Sequence, residues 1–268
     1  EGEGNGALAV LVFLPGTREI KDVQDALRNS LAFSGGDEEQ KAWVLPLHGG
    51  LPPDEQRKVF ERPPYSSRSS LTPKVSEGKG GKQSARAKRQ VVKVVLATNV
   101  AETSITIDDV GFVIDSGRVK EERYYPDRRM AALEDVWTSH ASAKQRRGRA
   151  GRVGPGLAVH LFPSDAGLKQ HSEPEVRRVA LEQLVLRIKA LGLRGSAARV
   201  CDQLVEPPEG RAVAAAVREL AAIGALKLSG DDSARKGTHL KTRQVEELTA
   251  LGASLTQLPV DCRLGKLL

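Results

Sequence analysis

The sequence predicts an α/β fold in which a parallel sheet flanked by helices is followed by a smaller, mostly helical domain. Short apolar runs rich in β-branched residues are near-continuous rather than alternating, which is typical of strands buried on both faces. Helical patterns separate some of these runs, notably at residues 20–32 and 53–60, and this alternation favours a parallel sheet. A chain of 268 residues can hold one large and one small domain.

Five strands are predicted, and they lie at residues 7–14, 43–47, 91–97, 111–115 and 157–162. Ligands of parallel sheets gather beyond the carboxyl ends of the strands. The segments that directly follow these runs are therefore where we expect the chemistry of this chain.

From about Glu173 onward the pattern changes to short helices with apolar stripes. The positions of the first stripe are Leu181, Leu184, Val185, Ile188 and Leu191. Those of the second are Val213, Val217 and Leu220, closed by Gly224. A polar stretch rich in Gly and Asp follows at residues 229–238, and this order of features predicts a small winged-helix-like domain.

The charge balance is basic, with a formal net charge of +7. Such a balance favours an anionic partner such as nucleic acid, although a solvated surface gives the same composition. Aromatic residues make up only 4% of the chain, which argues against broad base-stacking platforms. Cys201 and Cys262 are the only cysteines and lack metal-ligand spacing, so we expect a reducing compartment and neither a disulfide framework nor a metal site.

Residues 63–90 break the alternation of strands and helices. They are rich in Ser, Gly and Pro and carry seven basic residues against one acid, Glu77. This composition predicts a disordered basic insertion. Two interpretations stay open, namely a solvated loop without a role and a supplementary tether for RNA.

The start of the chain carries neither a start methionine nor a signal peptide. Its longest apolar run, at residues 7–14, is too short to span a bilayer, so we expect no membrane segment. The opening Glu-Gly-Glu-Gly-Asn-Gly leads us to expect further sequence of the same protein upstream.

The most informative segment is Gln-Arg-Arg-Gly-Arg-Ala-Gly-Arg at residues 145–152, which we call the arginine segment. On a helix, Gln145, Arg149 and Arg152 would stand at offsets 0, 4 and 7 and would therefore share one face. Two guanidiniums and an amide on one face match the oxygens of a polyphosphate. An exposed, salt-bridged helix would explain the charge alone.

The bounds of this helix are predicted from its flanking residues. Ser142 is expected to cap the start, with Gln145 bonding back to it. Gly148 and Gly151 remove bulk, so that the helix can lie close to a neighbour. Gly-Pro-Gly at residues 154–156 is expected to end it.

A second segment, at residues 97–108, reads Ala-Thr-Asn-Val-Ala-Glu-Thr-Ser-Ile-Thr-Ile-Asp, and we call it the threonine loop. It follows the predicted strand at 91–97. Small polar side chains and backbone amides at the carboxyl end of a strand can hold phosphate or ribose groups. The local chemistry alone is not specific, since many strand-to-helix loops carry Thr, Asn and Ser.

Together these segments resemble a known family. Residues 98–108 resemble motif V, and residues 145–152 motif VI, of the DEAH/RHA (DExH-box) branch of superfamily 2 RNA helicases. Residues 11–20, Leu-Val-Phe-Leu-Pro-Gly-Thr-Arg-Glu-Ile, resemble motif IV. Residues 47–52, Leu-His-Gly-Gly-Leu-Pro, together with 56–60, resemble motif IVa. The order and spacing are similar to those of the family's second RecA-like domain.

The resemblance continues through residues 173–191, 204–208 and 258–261, which are similar to the family's winged helix and the start of its helical bundle. It thus covers nearly the whole chain apart from the insertion. The implied architecture is a RecA-like parallel sheet flanked by helices, then a small mostly helical winged-helix domain. The implied domains are a second RecA-like domain at 1–168, a winged helix at 169–256, and the start of a helical bundle at 257–268.

The resemblance also implies the residues that bind ATP. Gln145, Arg149 and Arg152 would reach the β- and γ-phosphates as catalytic residues, with the arginines acting as fingers. Phe60 would stack on the adenine, and ordinary packing on a helix face is its alternative role.

Further contacts are implied for the threonine loop. Thr106 and Asp108 would contact the ribose, with helix capping as the alternative for Asp108. Ser104 would couple the nucleotide state to RNA, although a capping serine remains an open alternative. Thr98 and Asn99 would touch RNA phosphates, against a purely structural turn.

Two other regions are implied to meet RNA. Gly16 and Arg18 follow the first strand and would form an RNA-contacting loop. Residues 117–137 hold two strand-like runs and are similar to the β-hairpin at which this family separates duplex strands. Tyr124 and Tyr125 could serve there, with packing inside the hairpin as the alternative.

The sequence departs from the family pattern in three respects. His48 is followed by two glycines where relatives often have a serine that helps to hold RNA, so a side-chain contact there is in doubt. The insertion at 63–90 and the wing region at 229–246 are both longer than usual. The chain also has no Gly-x-x-x-x-Gly-Lys-[Ser/Thr] phosphate loop and no Asp-Glu-Ala-His.

The expected function is therefore that of the C-terminal motor part of an ATP-dependent RNA helicase, inactive as an isolated chain. Its expected cofactors are ATP and Mg²⁺, the metal being held mainly by a first RecA-like domain of the same protein. The expected partners are that domain, RNA and a protein activator, with no membrane, in the cytoplasm or alternatively the nucleus. The rival interpretations are a non-enzymatic RNA-binding fragment and a scaffold that uses the winged helix for protein contacts.

Overall fold

The structure is a computed structural model, and it divides into two compact units. It describes residues 9–30, 42–63, 91–125, 128, 130–152, 154–230 and 244–268. The first unit comprises Glu1–Glu121 and Asp135–Ser172, and the second comprises Glu122–Glu134 and Glu173–Leu268. The described residues end at 63 and 230 in these regions, so the predicted disordered insertion at 63–90 and the predicted polar stretch at 229–238 lie almost entirely outside them.

All five strands that the apolar runs predict are present in the first unit. These five are β1 (Ala9–Phe13), β2 (Val44–Leu47), β3 (Val94–Ala97), β4 (Val110–Asp115) and β7 (Leu157–His160). Two further strands, β5 (Arg118–Tyr125) and β6 (Met130–Trp137), lie between β4 and β7 in the chain. The five predicted strands form one sheet in the order β2-β3-β1-β4-β7, and every neighbouring pair is parallel. The predicted α/β class is therefore confirmed.

Helices cover this sheet because their apolar positions recur at helical spacing. They are α1 (Thr17–Asn29), α2 (Pro53–Arg57) with a 3₁₀ turn at Lys58–Phe60, α3 (Val100–Thr103) and α4 (His140–Arg147). In α1, Ile20, Val23 and Leu27 form one stripe that packs on Val44 and Leu96 of the sheet. Helix α1 begins at Thr17, three residues before its predicted start.

The carboxyl ends of the strands meet at one edge of the sheet and place the predicted functional loops side by side. The backbone N–H of Leu14, after β1, donates to the carbonyl of Ala97 at 2.8 Å. The N–H of Thr98, after β3, donates to the carbonyl of Leu47 at 3.1 Å. The loops after β1, β2 and β3 are thus held together by the sheet itself.

Strands β5 and β6 form the two-stranded hairpin that the sequence predicts around Tyr125. Pro126 and Asp127, at its expected turn, lie outside the described residues. Within the first unit, Arg118 Nε lies 2.9 Å from Asp135 Oδ1, and its guanidinium stands 4.6 Å from the centroid of the Trp137 ring. These contacts fix the base of the hairpin.

The second unit consists of short helices and an antiparallel ribbon. Its elements are α5 (Glu175–Arg178), α6 (Glu182–Ala190), α7 (Ala197–Cys201), α8 (Gly210–Ala222), β8 (Leu226–Gly230), β9 (Gln244–Leu248), α9 (Ala250–Leu255) and α10 (Cys262–Leu267). Val185 and Leu220, one from each predicted stripe, are buried in its core. This arrangement is compatible with the winged-helix prediction.

The ends of the two stripes differ in how well the sequence predicts them. Gly224 has a φ of +82° just beyond α8, where glycine tolerates a left-handed backbone, as its predicted closing role requires. Leu191 is 74% exposed, because α6 ends at Ala190 and turns it away from the core. Its assignment to the first stripe is therefore wrong.

No helix in the described part of the chain has the length and apolar character that crossing a bilayer requires.

Candidate functional site

Helix α4 carries the start of the arginine segment, and its bounds differ from the predicted ones. The N-cap is Ser139, whose side chain accepts a hydrogen bond from the N–H of Ser142 at 3.1 Å, so the prediction of Ser142 as the cap is wrong. The helix ends at Arg147, well before residues 154–156. The N–H of Arg149 bonds to the carbonyl only three residues back, at 3.0 Å, and this tightening stops the regular helix.

Gln145, Arg149 and Arg152 consequently do not share one helical face, which corrects that prediction. Gln145 is exposed on α4, whereas both arginines lie beyond the helix. Arg149 is buried and donates to the backbone carbonyls of Glu102 and Ile105, the latter at 3.3 Å. Both arginines turn toward the threonine loop instead of continuing the helical face.

Arg152 completes this connection from an exposed position. Its Nη1 donates to the Thr106 hydroxyl at 2.7 Å. Burial lowers the pKa of the Arg149 guanidinium, the nearby charge of Arg152 lowers it further, and Glu102 opposes the change. The cause is the loss of solvation, which penalises the charged form. Two guanidiniums, one buried and one exposed, are thus held beside each other.

Arg146 is the residue at this site that sequence reasoning missed. It is 1% exposed, and its Nε lies 3.1 Å from Glu102 Oε2 while its Nη1 lies 2.8 Å from Asp115 Oδ1. Its guanidinium also stands 5.1 Å from the centroid of the Phe13 ring. One buried cation therefore joins the arginine segment, the threonine loop and two strands of the sheet.

A signal for Arg146 was present in the sequence. Ala143 and Ala150 are both buried, and together with Arg146 they form an inward stripe at spacings of three and four. A cation on such a stripe needs buried carboxylate partners. Asp115, fully buried at the end of β4, is one of them, and its Oδ2 also lies 3.2 Å from His160 Nδ1.

The side chain predicted to stack on a base is accessible. Phe60 ends the 3₁₀ turn with 52% of its surface exposed, although its neighbour Val59 is buried. Packing on a helix face therefore does not account for the Phe60 ring. An exposed aromatic face can stack on a planar base.

The predicted ribose and coupling residues lie exposed along the threonine loop. Thr106 contacts Arg152, as described above, and Asp108 stands in the turn before β4. Asp108 precedes a strand, so the helix-capping alternative is not supported for it. Ser104 is the C-cap residue of α3, a position in which its side chain caps no N-terminus.

The predicted RNA contacts fall at the carboxyl edge of the sheet. Thr98 is half-buried and Asn99 is exposed at the N-terminus of α3. Gly16 is the N-cap residue of α1, and Arg18 is exposed in its first turn. A Cβ at Gly16 would stand 2.8 Å from Lys120 Nζ and 2.9 Å from Glu19 Oε2, so both flexible side chains would have to move to admit it.

Other residues singled out in the sequence have local partners. The Tyr125 hydroxyl bonds to the Glu134 carboxylate across the hairpin, as the packing alternative requires. The N–H of Gly50 donates to His48 Nδ1 at 3.2 Å. Among the described residues, no group of three or more His, Cys, Asp or Glu side chains could hold a metal ion.

A family model described as the helicase conserved C-terminal domain matches residues 70–154, a span that contains the threonine loop and the arginine segment. The chain is 40% identical over 263 residues to the DExH-box ATP-dependent RNA helicase DExH4, chloroplastic, of Arabidopsis thaliana, covering 97% of this chain and 16% of that protein. It is 39% identical over 265 residues to the human putative ATP-dependent RNA helicase DHX57, covering 97% of this chain and 16% of that protein. The chain thus spans less than a quarter of the length of these relatives.

Two solved helicase structures are also similar to this chain. The crystal structure of the Escherichia coli DEAH/RHA helicase HrpB matches with a TM-score of 0.67 and 30% identity, over 98% of this chain and 27% of that one. A crystal structure of the E. coli DExH-box NTPase HrpB matches with a TM-score of 0.63 and 29% identity, over 98% of this chain and 26% of that one. The similarity therefore extends across both compact units of the chain.

Proposed function

This chain belongs to the DExH/DEAH-box family of RNA helicases as a segment with their C-terminal helicase domain, and on that premise we propose that it forms one half of an ATP-driven RNA motor. Its parallel sheet is the RecA-like sheet that the sequence predicts. The chain would supply arginine fingers, an adenine clamp and RNA-backbone contacts for unwinding or remodelling RNA. The relatives, which are named ATP-dependent RNA helicases, support this activity for the whole protein.

The observation that carries the proposal is the bonding of the arginine segment to the threonine loop. Arg149 is held by two backbone carbonyls and Arg152 by the Thr106 hydroxyl. Charges fixed in advance stabilise negative charge as it develops on a transferring phosphoryl group. We therefore assign Arg149 and Arg152, together with the exposed Gln145, to the β- and γ-phosphates of ATP.

The nucleoside would be bound by three residues outside the arginine segment. The exposed ring of Phe60 would stack on the adenine, and Thr106 and Asp108 would contact the ribose. The hydroxyl of Thr106 can accept from Arg152 and still donate its own hydrogen to a ribose oxygen. Ser104, at the end of α3, would transmit the nucleotide state to the RNA side.

The RNA would lie along the carboxyl edge of the sheet. Strands β1 and β3 are neighbours, so the loops that carry Gly16 and Arg18 on one side and Thr98 and Asn99 on the other adjoin. Hydroxyl, amide and backbone N–H groups bind phosphate and sugar, which carry little sequence information. Binding should accordingly tolerate many RNA sequences.

Other parts of the motor would come from outside these residues. A first RecA-like domain of the same protein would supply the phosphate loop and hold Mg²⁺, for which the described residues offer no carboxylate cluster. No residue of this chain is assigned to the metal. A protein activator is proposed as a further partner.

We place the second RecA-like domain at 1–168, the winged helix at 169–256 and the start of a helical bundle at 257–268. A cytoplasmic or nuclear location is proposed because Cys201 and Cys262 are both free and buried, as a reducing compartment allows.

The proposal is tested by Arg152→Ala in a full-length protein that contains this chain and a first RecA-like domain. The loss of an arginine finger should lower RNA-stimulated ATP turnover by about 10³-fold or more, while RNA affinity changes only a few-fold. Arg149→Lys should also be strongly impaired, because a point charge does not reproduce a bidentate fork.

Arg147 provides the matched control, because it is exposed at the end of α4, whereas Arg149 two residues later is buried. Arg147→Ala should leave turnover within about twofold, as is usual for exposed substitutions. An Arg152→Ala variant that loses RNA binding but keeps ATP turnover would instead assign the arginine segment to the RNA grip.

A further inference from the structure

Lys93 is a buried cation that the proposed mechanism does not use. It is 2% exposed, and its Nζ lies 2.7 Å from Asp109 Oδ2. The same Nζ donates to the carbonyl of Val59 at 2.8 Å and to the carbonyl of Glu61 at 2.9 Å. An ammonium has three N–H groups, so these three acceptors use all of its donors.

Two of these acceptors flank Phe60 in the chain. The carbonyls of Val59 and Glu61 belong to the end of the 3₁₀ turn, where helical carbonyls lack partners within the helix. The ammonium of Lys93 takes up both, and so fixes the backbone immediately before and after Phe60. The Phe60 ring is exposed, and its direction is therefore set largely by that backbone.

The third acceptor connects the same ammonium to the threonine loop. Asp109 directly follows Asp108, the proposed ribose contact, and its carbonyl accepts from the N–H of Ala9 at 2.7 Å. The carbonyl of Lys93 accepts from the N–H of Val10 at 2.9 Å. Strand β1 thus anchors both ends of the ion pair.

We infer that Lys93 is a positioning residue for the adenine of ATP. It fixes the backbone on both sides of Phe60 against Asp109, so that the ring is held in one direction where it meets the base. This inference rests on the proposed function, in which Phe60 meets the adenine. It assigns Lys93 no contact with ATP itself.

The test replaces Lys93 by the uncharged Met in the full-length protein and compares ATP with ribose 5-triphosphate, which lacks the base. Lys93→Met should raise KM for ATP on the order of tenfold, the scale of one base–aromatic stack, with kcat within about threefold. KM for ribose 5-triphosphate should change less than about twofold, because the base-dependent contact is absent from it.

A double variant shows whether Lys93 acts through Phe60. Phe60→Ala should raise KM for ATP by a similar factor, and the combination with Lys93→Met should be no worse than Phe60→Ala alone. Asp109→Asn is the milder second variant, since Asp109 Oδ1 has no hydrogen-bond partner among the described residues and an amide can replace it. It should give the same base-dependent pattern at smaller size if Lys93→Met fails to fold.

Lys189 provides a matched control for loss of a buried pair. Its Nζ lies 2.7 Å from Glu246 Oε2 and also donates to the carbonyl of Gly195 at 2.9 Å, with both side chains of the pair buried. Lys189→Met should lower thermal stability while leaving KM for both substrates unchanged.

Equal increases in KM for ATP and for ribose 5-triphosphate, or effects of Lys93→Met and Phe60→Ala that multiply, would overturn the inference while leaving the proposed function intact. A parent protein without RNA-stimulated ATP turnover would overturn the proposed function and this inference together.

Discussion

Arg146 and Lys93 show how a single side chain can connect segments that are distant in sequence. Each is a buried cation whose donors meet acceptors from two other segments. Burial removes the hydration of such a charge, and its partners compensate for that loss. Removal of a partner therefore destabilises the folded protein. The two residues therefore stabilise the site through their positions, whether or not they approach a ligand.

Replacement of Arg146 by the apolar Met should destabilise the folded chain strongly. The change leaves Glu102 and Asp115 as carboxylates that have lost their cation, and breaking one side of a buried ion pair costs about 3–5 kcal/mol. Urea unfolding followed by circular dichroism measures this loss. Arg147→Ala, on the exposed side of α4, should stay within about 0.5 kcal/mol.

A loss below about 1 kcal/mol for Arg146→Met would contradict the buried network, because exposed ion pairs contribute on that scale.

The sequence contains part of the information needed to find these two residues. Lys93 interrupts an apolar strand run, and Arg146 lies on the stripe of Ala143 and Ala150. A charged residue in such a position predicts a buried, paired cation. Its partner cannot be read from the pattern, since Asp109 and Asp115 come close only through the pairing of strands.

At the scale of elements, the start of α4 shows where local rules stop being sufficient. Ser142 is followed three residues later by Gln145, as the capping-box pattern requires, whereas Ser139 is not followed by a Glu or Gln at that spacing, and yet Ser139 is the cap. The selection of Ser139 follows from a tertiary contact, because the N–H of His140 donates to the carbonyl of Lys169 at 2.9 Å. That contact lies 29 residues away in sequence, beyond the range of a capping pattern.

Glu19 and Lys120 connect the first turn of α1 to strand β5 and predict a pH dependence of stability. Lys120 Nζ lies 2.8 Å from Glu19 Oε2, and this hydrogen bond holds the pKa of Glu19 below its ordinary value of 4.5. A lowered folded-state pKa gives stability that is present above the unfolded-state value and lost as the pH falls through the folded-state value.

The coupling of Glu19→Gln with Lys120→Met should therefore amount to about 0.5–1 kcal/mol near pH 7, the range of partly exposed pairs. It should shrink as the pH falls below the ordinary value of 4.5 and Glu19 becomes protonated. A double-mutant cycle of urea unfolding, carried out near pH 7 and again at acid pH, measures it. Coupling that persists unchanged at the lower pH would mean that packing, and not charge, joins the two elements.

At the scale of the whole molecule, the parallel sheet could be predicted but the strand order could not. Near-continuous apolar runs indicate strands buried on both faces, and the five strands of the sheet confirm it. The order β2-β3-β1-β4-β7 depends on which strand lies beside which, and a hydrophobic pattern does not encode that. The nucleotide-contact assignments came from the resemblance of the motifs, whereas local chemistry alone left them open.

The purified chain by itself should bind single-stranded RNA without hydrolysing ATP. Its sequence holds no phosphate loop, and its net charge of +7 favours a polyanion. Affinity should fall steeply with salt, with a log–log slope of roughly 0.7 for each phosphate that the protein neutralises. Filter binding from low to high salt and a phosphate-release assay measure the two properties.

Phosphate release stimulated by RNA and abolished by Arg152→Ala in the purified chain would contradict this expectation. Deletion of residues 63–90 separates the two interpretations of the insertion, because removal of a tether should reduce the salt slope, whereas removal of a loop without a role should leave the slope and the affinity unchanged.

The division of the hairpin between the two units limits how this protein can be cut and rebuilt. The chain passes from one unit to the other at 121/122, again at 134/135 and finally at 172/173. The shortest piece that contains the whole first unit, 1–172, also includes the 13 residues 122–134 of the second unit. A chimera of two related proteins made with a single junction therefore always combines residues of both parents within one unit. Chimeras of this protein should accordingly exchange both units together.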